Sequence, residues 1–350
     1  MLKWLLGRLG QAAGIAWLIA SIVFISSRQL PDGPEQLVIS DASDLARPGA
    51  STRTAASQAV ARQAVRERLG LALPVFYVTR TARHWYWHGT ANQYHHWLSA
   101  ALRGDLGRSY RDGQPVTTLL AQSLRYTLPL AASAAALAAG LALALALHLA
   151  RTPASWWQRL IFSLLSGLQI TPLFLVALSL LLLFANPEFL NLLPAASQHS
   201  AAIGTWQLVG YWLGVSVLPL LSLVLVVLPE LTLPLAALLR REATVGYALT
   251  ARAKGLATQQ VLRRHALPNA VLPLLTTFTD LLPSLVAGTV VVEVLFALPG
   301  SGRLLAEAAA AHDYPVVVAG VLFVAMARLL SLLLADIVQY VIDPRLRPTT

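Results

Sequence analysis

Three long stretches without a charged side chain constrain this sequence more than any other feature. They cover Leu9 to Ser27, Tyr126 to Ala150 and Leu160 to Pro187. About 20 apolar residues in a helix cross the hydrocarbon core of a bilayer, which is about 30 Å thick. Three further apolar stretches, each with one or two ionisable residues, cover Trp212 to Leu239, Asn269 to Phe296 and Pro315 to Ile342. The sequence therefore predicts an all-α polytopic membrane protein with six transmembrane helices.

The composition argues against a soluble enzyme. The 350 residues are 56% hydrophobic and 12% charged, whereas soluble domains are about 45–50% apolar and about 25% charged. The chain has no cysteine, which excludes disulfides and thiolate metal sites. The two lysines, Lys3 and Lys254, do not lie in a phosphate-binding loop sequence. We therefore expect no catalytic residues and no cofactor bound by this chain.

The distribution of Lys and Arg predicts the orientation. With a cytoplasmic N-terminus, the two short outside loops contain only Arg303. The inside segments contain twelve basic residues: Lys3, Arg8, Arg151, Arg159, Arg240, Arg241, Arg252, Lys254, Arg263, Arg264, Arg345 and Arg347. Such asymmetry is typical of cytoplasmic loops, and long loops cross largely regardless of charge. The net charge of +10 therefore needs no nucleic acid partner.

The predicted organisation follows from this orientation. Residues 1–27 hold a cytoplasmic N-terminus and helix 1, and residues 28–125 form a long extracytoplasmic segment. Residues 126–342 hold helices 2 to 6 with a cytoplasmic loop over 240–269, and residues 343–350 form a cytoplasmic tail. Lys3 and Arg8 before the first run would also fit a cleaved signal peptide. The length of that run and the poor cleavage site at Ile25 to Arg28 argue against it.

The outside segment contains a cluster of histidines and aromatic residues from His84 to Trp97. His84 and His88 are spaced i, i+4 and would share a helix face, which makes them a possible metal-ligand pair. No carboxylate or cysteine lies within the cluster to complete such a site. The alternative is an aromatic belt at the membrane–water interface, which Trp and Tyr favour.

Four of the ionisable residues that interrupt the predicted spans are candidates for a functional role: Glu230, Asp280, Arg328 and Asp336. Charged side chains are costly in lipid, and they mark either a translocation pathway or a buried pair. Asp280 and Arg328 have opposite charge and lie on consecutive predicted helices. The sequence therefore predicts that these two form a buried ion pair.

The longest inside loop, Arg240 to Asn269, has the pattern of two short helices around a glycine turn. Ala248 to Lys254 consists of helix-forming residues, and Gly255 fits the position after a helix end. A second helix over Leu256 to Ala266 would be closed by Pro268. A solvated basic loop is the plain interpretation, but the apolar positions Leu249, Leu256, Val261, Leu262 and Leu267 favour a docking surface.

This loop resembles the cytoplasmic coupling motif of ABC importer permeases. Thr250 and Ala251, then Gly255 after three intervening residues, then Leu267 and Pro268 stand at the spacing of that motif. The resemblance is closest to the dipeptide/oligopeptide/nickel branch and extends over nearly the whole chain. Further landmarks in order are Leu69 to Leu71, Pro74, Gln93 to Tyr94, Gly104 to Gly107, Phe296 to Leu304, Asp313 to Pro315 and Asp343 to Arg345.

The chain departs from the family pattern at several places. Leu249 stands at the motif glutamate and His265 at the motif isoleucine, and about fifteen residues, including the His/Trp cluster, are inserted between Pro74 and Gln93. Asp280 and Arg328 fall where the family is expected to be uncharged.

The resemblance implies a type I importer permease-like bundle in a bacterial inner membrane, as a non-catalytic subunit. It implies a second homologous permease, two ATPase subunits that bind ATP-Mg, and an extracytoplasmic substrate-binding protein as partners. The residues expected to contact the ATPase are Thr250, Ala251, Arg252, Lys254, Gly255, Leu256, Val261, Leu267 and Pro268. Peptides, nickel, opines, glycans and antimicrobial peptides stay open as substrates.

Two other functions compete with this interpretation. An ion-coupled secondary transporter would use Glu230, Asp280, Arg328 and Asp336 as a relay, but it has no role for the inside helix-turn-helix. A membrane metalloenzyme or metal sensor would use the outer histidines.

Overall fold

The protein is mostly helical. The computed structural model describes residues 2–29, 63, 73–81, 84–151, 155–193 and 205–342. Most of the first half of the predicted extracytoplasmic segment, and the predicted tail 343–350, lie outside the described residues. The elements in chain order are α1 (Leu2–Gln29), β1 (Val78–Thr81), β2 (His84–Trp87), α2 (Gln93–Leu102), α3 (Val116–Arg151), α4 (Trp156–Ile170), α5 (Leu173–Phe184), α6 (Thr205–Glu242), α7 (Gly246–Ala253), α8 (Thr258–Val261), α9 (Leu267–Val271), α10 (Leu275–Leu295), α11 (Ser301–Ala310) and α12 (Tyr314–Ile342).

The chain divides into two compact units. The first comprises Met1–Ser123 with Leu304–Met326, and the second comprises Leu124–Arg303 with Ala327–Thr350. The first unit carries α1, the β1–β2 ribbon and α2. The second carries α4 to α10, including the predicted coupling loop.

Four described helices are long and apolar enough to cross a membrane. Their qualifying stretches are Gly7–Ser26, Val116–Arg151, Gly214–Glu242 and Tyr314–Leu334. The bent pair α4–α5 makes a fifth candidate. In α10 (Leu275–Leu295) the apolar stretch found among the described side chains is Ser284–Leu295, which by itself is shorter than a bilayer requires. The described residues thus hold four to five candidate spans, and the count of six stays a prediction.

The predicted span Leu160 to Pro187 is broken in the middle. α4 and α5 are bent by 110° relative to each other. Thr171 at the break has extended backbone angles, φ −84° and ψ 122°, because a residue before proline is pushed out of the α region. Pro172 also lacks the N–H that would continue the α4 ladder. The Thr171 hydroxyl donates to the Gly167 carbonyl at 2.8 Å and so caps the end of α4.

In the predicted extracytoplasmic segment the structure differs from the all-α prediction. β1 and β2 form an antiparallel ribbon in which Val78 pairs with Trp87 and Thr81 with His84. His84 and His88 are therefore not on one helix turn. Four residues of extended chain span about 13 Å, too far for one metal ion. Instead, His88 Nε2 lies 2.7 Å from the Thr79 hydroxyl, and no group of three metal-ligating residues occurs among the described residues.

The core of the second unit rests on a stripe of alanines along α3. Ala134, Ala138, Ala142 and Ala146 recur every fourth residue and are buried in the main hydrophobic cluster with α6 residues such as Leu231 and Leu235. Small side chains let helix backbones approach closely in a bilayer. α3 itself begins at Val116, earlier than the predicted boundary at residue 126, and continues through Pro129.

Candidate coupling loop

The turn between α7 and α8 has the geometry of a Schellman motif. α7 ends at Ala253, and Gly255 follows the Lys254 cap with φ +85°. The Gly255 N–H donates to the Arg252 carbonyl at 2.9 Å, and the Leu256 N–H donates to the Ala251 carbonyl at 3.2 Å. These two bonds satisfy carbonyls that the helix end leaves free. The predicted helix–glycine–helix arrangement is therefore present.

The loop has an apolar interior of its own. Ala248, Ala251 and Val261 form a small buried cluster, against which Tyr247 and Leu256 pack. The small side chain of Ala251 lets α8 pack against it, and Val261 of α8 is fully buried. The expectation that Val261 presents an apolar anchor to a partner is therefore wrong, because its side chain holds the two short helices together instead.

The large apolar side chains that the loop exposes lie at α7. Leu249 is 53% exposed and Val245, one turn earlier, is 40% exposed. Thr250, Arg252 and Lys254 are also exposed. Sequence reasoning named Leu249 among the docking positions but missed Val245, whose spacing of i, i+4 from Leu249 was the available signal.

The second helix of the loop, which the sequence predicts to end before Pro268, continues past this residue. α8 continues into a π-helical turn, Leu262–Ala266, and then into α9. The Leu267 N–H donates to the Leu262 carbonyl, five residues back. Widening the turn in this way lets the helix pass a proline that has no N–H to donate. Pro268 is exposed and Leu267 is half-buried, whereas Leu262 and Ala266 are buried.

Tyr247 joins the two ends of the loop. Its hydroxyl donates to Glu242 Oε2 at 2.5 Å, and it also hydrogen-bonds the side chain of Asn269. Burial, together with the nearby Glu242 carboxylate, raises the pKa of the Tyr247 hydroxyl. The hydroxyl therefore stays protonated and keeps donating to the end of α6. Sequence reasoning did not single out Tyr247, because its partners lie on both sides of the loop.

The four ionisable residues of the predicted spans do not assemble into a described site. Glu230 on α6 and Arg328 on α12 are exposed, and Asp336 is half-buried. Asp280 belongs to α10, but its side chain lies outside the described part of the structure. The Asp280–Arg328 ion pair therefore stays a prediction.

A buried carboxylate outside these four candidates lies at the end of α10. Glu293 is 1% exposed and accepts hydrogen bonds from the Thr127 hydroxyl at 2.7 Å and the Gly302 N–H at 2.6 Å. The Ser301 N–H donates to the Thr127 oxygen at 2.8 Å. Together these groups fix the start of α11, which begins inside the glycine-rich segment Leu298 to Arg303.

Comparison with known proteins covers both the loop and the full chain. The family model of binding-protein-dependent transport system inner membrane components matches residues 136–348. A putative peptide transport system permease protein of Brucella abortus is 30% identical over 98% of both chains. A glutathione transport system permease protein of Escherichia coli is 28% identical over 99% of both. A dipeptide transport system permease protein of Lactococcus lactis is 28% identical over 73% of this chain and 80% of its own.

Proposed function

The chain belongs to the binding-protein-dependent inner membrane components, the permease subunits of ABC importers, and on that premise we propose that it forms part of a translocation path for peptides. The relatives named as peptide, dipeptide and glutathione permeases support this substrate class. They give no support to an ion-coupled secondary transporter. Selection among peptides would then rest largely with a separate binding protein.

The proposed assembly contains this chain, a second homologous permease and two ATPase subunits. The ATPase subunits bind ATP-Mg and hydrolyse it, whereas this chain contributes no catalytic group. An extracytoplasmic binding protein delivers the substrate. ATP-driven closure of the ATPases switches the helices between outward- and inward-facing states.

The α7 surface supports a role of the loop as the ATPase contact. Its apolar stripe, Val245 and Leu249, is bordered by the exposed cations Arg252 and Lys254. An exposed apolar patch with a polar rim is typical of a protein contact. Because Gly255 and the buried cluster hold α7 against α8, a force on α7 moves the pair together. Tyr247 passes that force to α6 and to the start of α9.

The proposed topology has six spans with both termini in the cytoplasm. The Lys/Arg asymmetry supports it, and so does the loop, since an ATPase contact has to face the cytoplasm. In this scheme α4–α5 form the third span despite the bend, and α10, with the helical turns before it, forms the fifth.

The Gly255 turn is the observation on which the proposed ATPase contact depends, and a substitution at Gly255 tests it. Gly255→Val puts a β-branched residue at φ +85°, a region that costs an ordinary residue about 1–2 kcal/mol. No atom lies within 4 Å of an added Cβ, so the effect comes from the backbone alone. We expect Gly255→Val to abolish peptide uptake in reconstituted vesicles, with the ATPase either lost from the complex or hydrolysing ATP without uptake.

Gly255→Asn is the matched control, because asparagine enters the left-handed region far more readily. It should retain most of the uptake. Both variants should insert in the membrane and copurify with the second permease. Normal coupled uptake by Gly255→Val would show that the loop is not the ATPase contact.

A further inference from the structure

The β1–β2 ribbon has two unlike faces. In its register Val78 pairs with Trp87 and Arg80 pairs with Trp85. Because side chains alternate along a strand, these four lie on one side of the ribbon. We call Val78, Arg80, Trp85 and Trp87 the aromatic face.

The aromatic face is open. Trp85 and Trp87 are 70% and 72% exposed, and the Arg80 guanidinium lies 5.7 Å from the centre of the Trp85 ring. The opposite side of the ribbon carries polar groups, including the hydrogen-bonded pair of Thr79 and His88. The ribbon is therefore amphipathic, and its apolar side lacks a cover within the described first unit.

Backbone hydrogen bonds tie the base of the ribbon to α2. The Gln93 N–H donates to the Pro74 carbonyl at 2.9 Å, and the Tyr94 N–H donates to the Val75 carbonyl at 3.1 Å. The Tyr77 ring then stacks on Trp87, with ring centres 5.8 Å apart. The start of α2 and the base of the ribbon thus form one connected piece.

The same piece is fastened to the end of α1. The Tyr94 hydroxyl lies 2.6 Å from the Ser21 hydroxyl, and the Phe24 ring stacks on Trp97 at 5.0 Å. The charge-free stretch of α1 lies between Arg8 and Arg28 and covers Leu9 to Ser27, so Phe24 lies in its last turn. About 20 helical residues match the hydrocarbon thickness, which places the base of the ribbon at the depth of the lipid headgroups.

The charge of this region suits a phospholipid surface. No aspartate or glutamate occurs from Leu73 to Gly104, whereas Arg80, Arg83 and Arg103 do. Trp at the interface keeps its ring in the acyl boundary and its N–H in water. Arginine near the surface is drawn to anionic headgroups.

We propose that the aromatic face rests on the phospholipid headgroup layer, with the Trp85 and Trp87 rings in the acyl boundary and the Arg80 guanidinium on lipid phosphate. The ribbon is then a second membrane contact of the outside segment, beside α1. This contact depends on the depth of Phe24 in the bilayer and not on the transported substrate or the direction of transport.

The test uses the full-length protein, which has no native cysteine. Val78→Cys places a fluorophore on the aromatic face and leaves both tryptophans in place. Tyr86→Cys is the matched control on the opposite side of the same ribbon. Each labelled protein is reconstituted in nanodiscs of phosphatidylethanolamine and phosphatidylglycerol, with or without a lipid that carries a nitroxide on its headgroup.

We expect the nitroxide lipid to quench the label at position 78 several-fold more than the label at 86, with soluble iodide showing the reverse order. Equal lipid quenching at both positions, or stronger iodide quenching at position 78, would overturn the proposal and leave the face to a soluble partner.

A second variant removes one ring without disturbing the base. In the Val78→Cys background, Trp85→Ser should reduce lipid quenching several-fold, whereas Tyr86→Ser should leave it unchanged. Trp85 is chosen because Trp87 is needed for the stack on Tyr77. Unchanged quenching after Trp85→Ser would also count against the proposal. Neither readout needs uptake or ATP, so failure here is separate from failure of the proposed function.

Discussion

Glu293 illustrates at the scale of one residue how a carboxylate is kept inside an apolar helix pair. Its oxygens accept from the Thr127 hydroxyl and from the Gly302 and Arg303 amides. A buried carboxylate costs little only when such bonds are complete. Gly300 makes this possible, because a Cβ there would overlap the Glu293 carboxylate.

Gly300→Ala should therefore destabilise the protein. The added methyl group pushes the Glu293 carboxylate off its partners, and overpacking of this kind costs about 1–3 kcal/mol. Unfolding of the purified protein by SDS titration would measure the loss. Gly167→Ala on α4 is the control, since no atom lies within 4 Å of its added Cβ, and it should be neutral or slightly stabilising because alanine has the higher helix propensity. Equal stability of the two variants would refute the role of Gly300.

The contrast between Gly255 and Glu293 explains what the sequence could predict at this scale. The Gly255 turn is local, since its hydrogen bonds reach only three to five residues along the chain, and helix-end patterns reveal it. The partner Thr127 of Glu293 lies 166 residues away, and no spacing rule connects the two.

Among the elements, the end of α3 depends on side chains from its neighbours. The Arg240 guanidinium on α6 donates to the Leu149 carbonyl at 2.9 Å and 3.3 Å. The Gln158 amide on α4 donates to the His148 carbonyl at 3.4 Å. The last carbonyls of a helix have no partner within it, so these contacts stabilise the end of α3 and connect it to α4 and α6.

Arg240→Ala should cost about 1–3 kcal/mol, because it leaves a helix-end carbonyl without its charged donor. Arg241→Ala removes an equal charge from the neighbouring exposed position, and surface changes of this kind stay within about 0.5 kcal/mol. The SDS midpoints of the two variants, measured side by side, check this. A similar shift for both would mean that charge, not the Leu149 contact, matters.

The sequence predicts the helices well where the length of an apolar run determines their location. It predicts poorly where local backbone chemistry determines a bend or the choice between helix and strand. The charge-free run over Tyr126 to Ala150 lies within α3. The run over Leu160 to Pro187 is bent by 110°, because Pro172 interrupts the backbone hydrogen bonds of the helix. The apolar character of a segment gives its length across the bilayer but not the direction of its helix axis. The i, i+4 spacing of His84 and His88 predicts a shared helix face, but the β-branched and aromatic residues around them favour strands.

For the whole molecule, the proposed topology makes a direct prediction. Cysteines introduced singly at Val60 and Thr258 should react with a membrane-impermeant maleimide from opposite sides, Val60 in intact cells and Thr258 only after permeabilisation. The absence of native cysteine keeps the background low. Labelling of both positions from the same side would contradict the orientation that the Lys/Arg asymmetry predicts.

The π-helical turn at Leu262–Ala266 also bears on how the chain changes state. It holds one residue more than an α-helical ladder needs. If that surplus residue shifts along the helix, the residues that it passes rotate by about 100° and advance by about 1.5 Å relative to the rest of the helix. This shift strains no covalent bond, because each backbone hydrogen bond that breaks is replaced by another. The loop can thus change its hydrogen-bonding register between α8 and α9. A displacement of α8 can therefore reach α9 as a rotation about the helix axis.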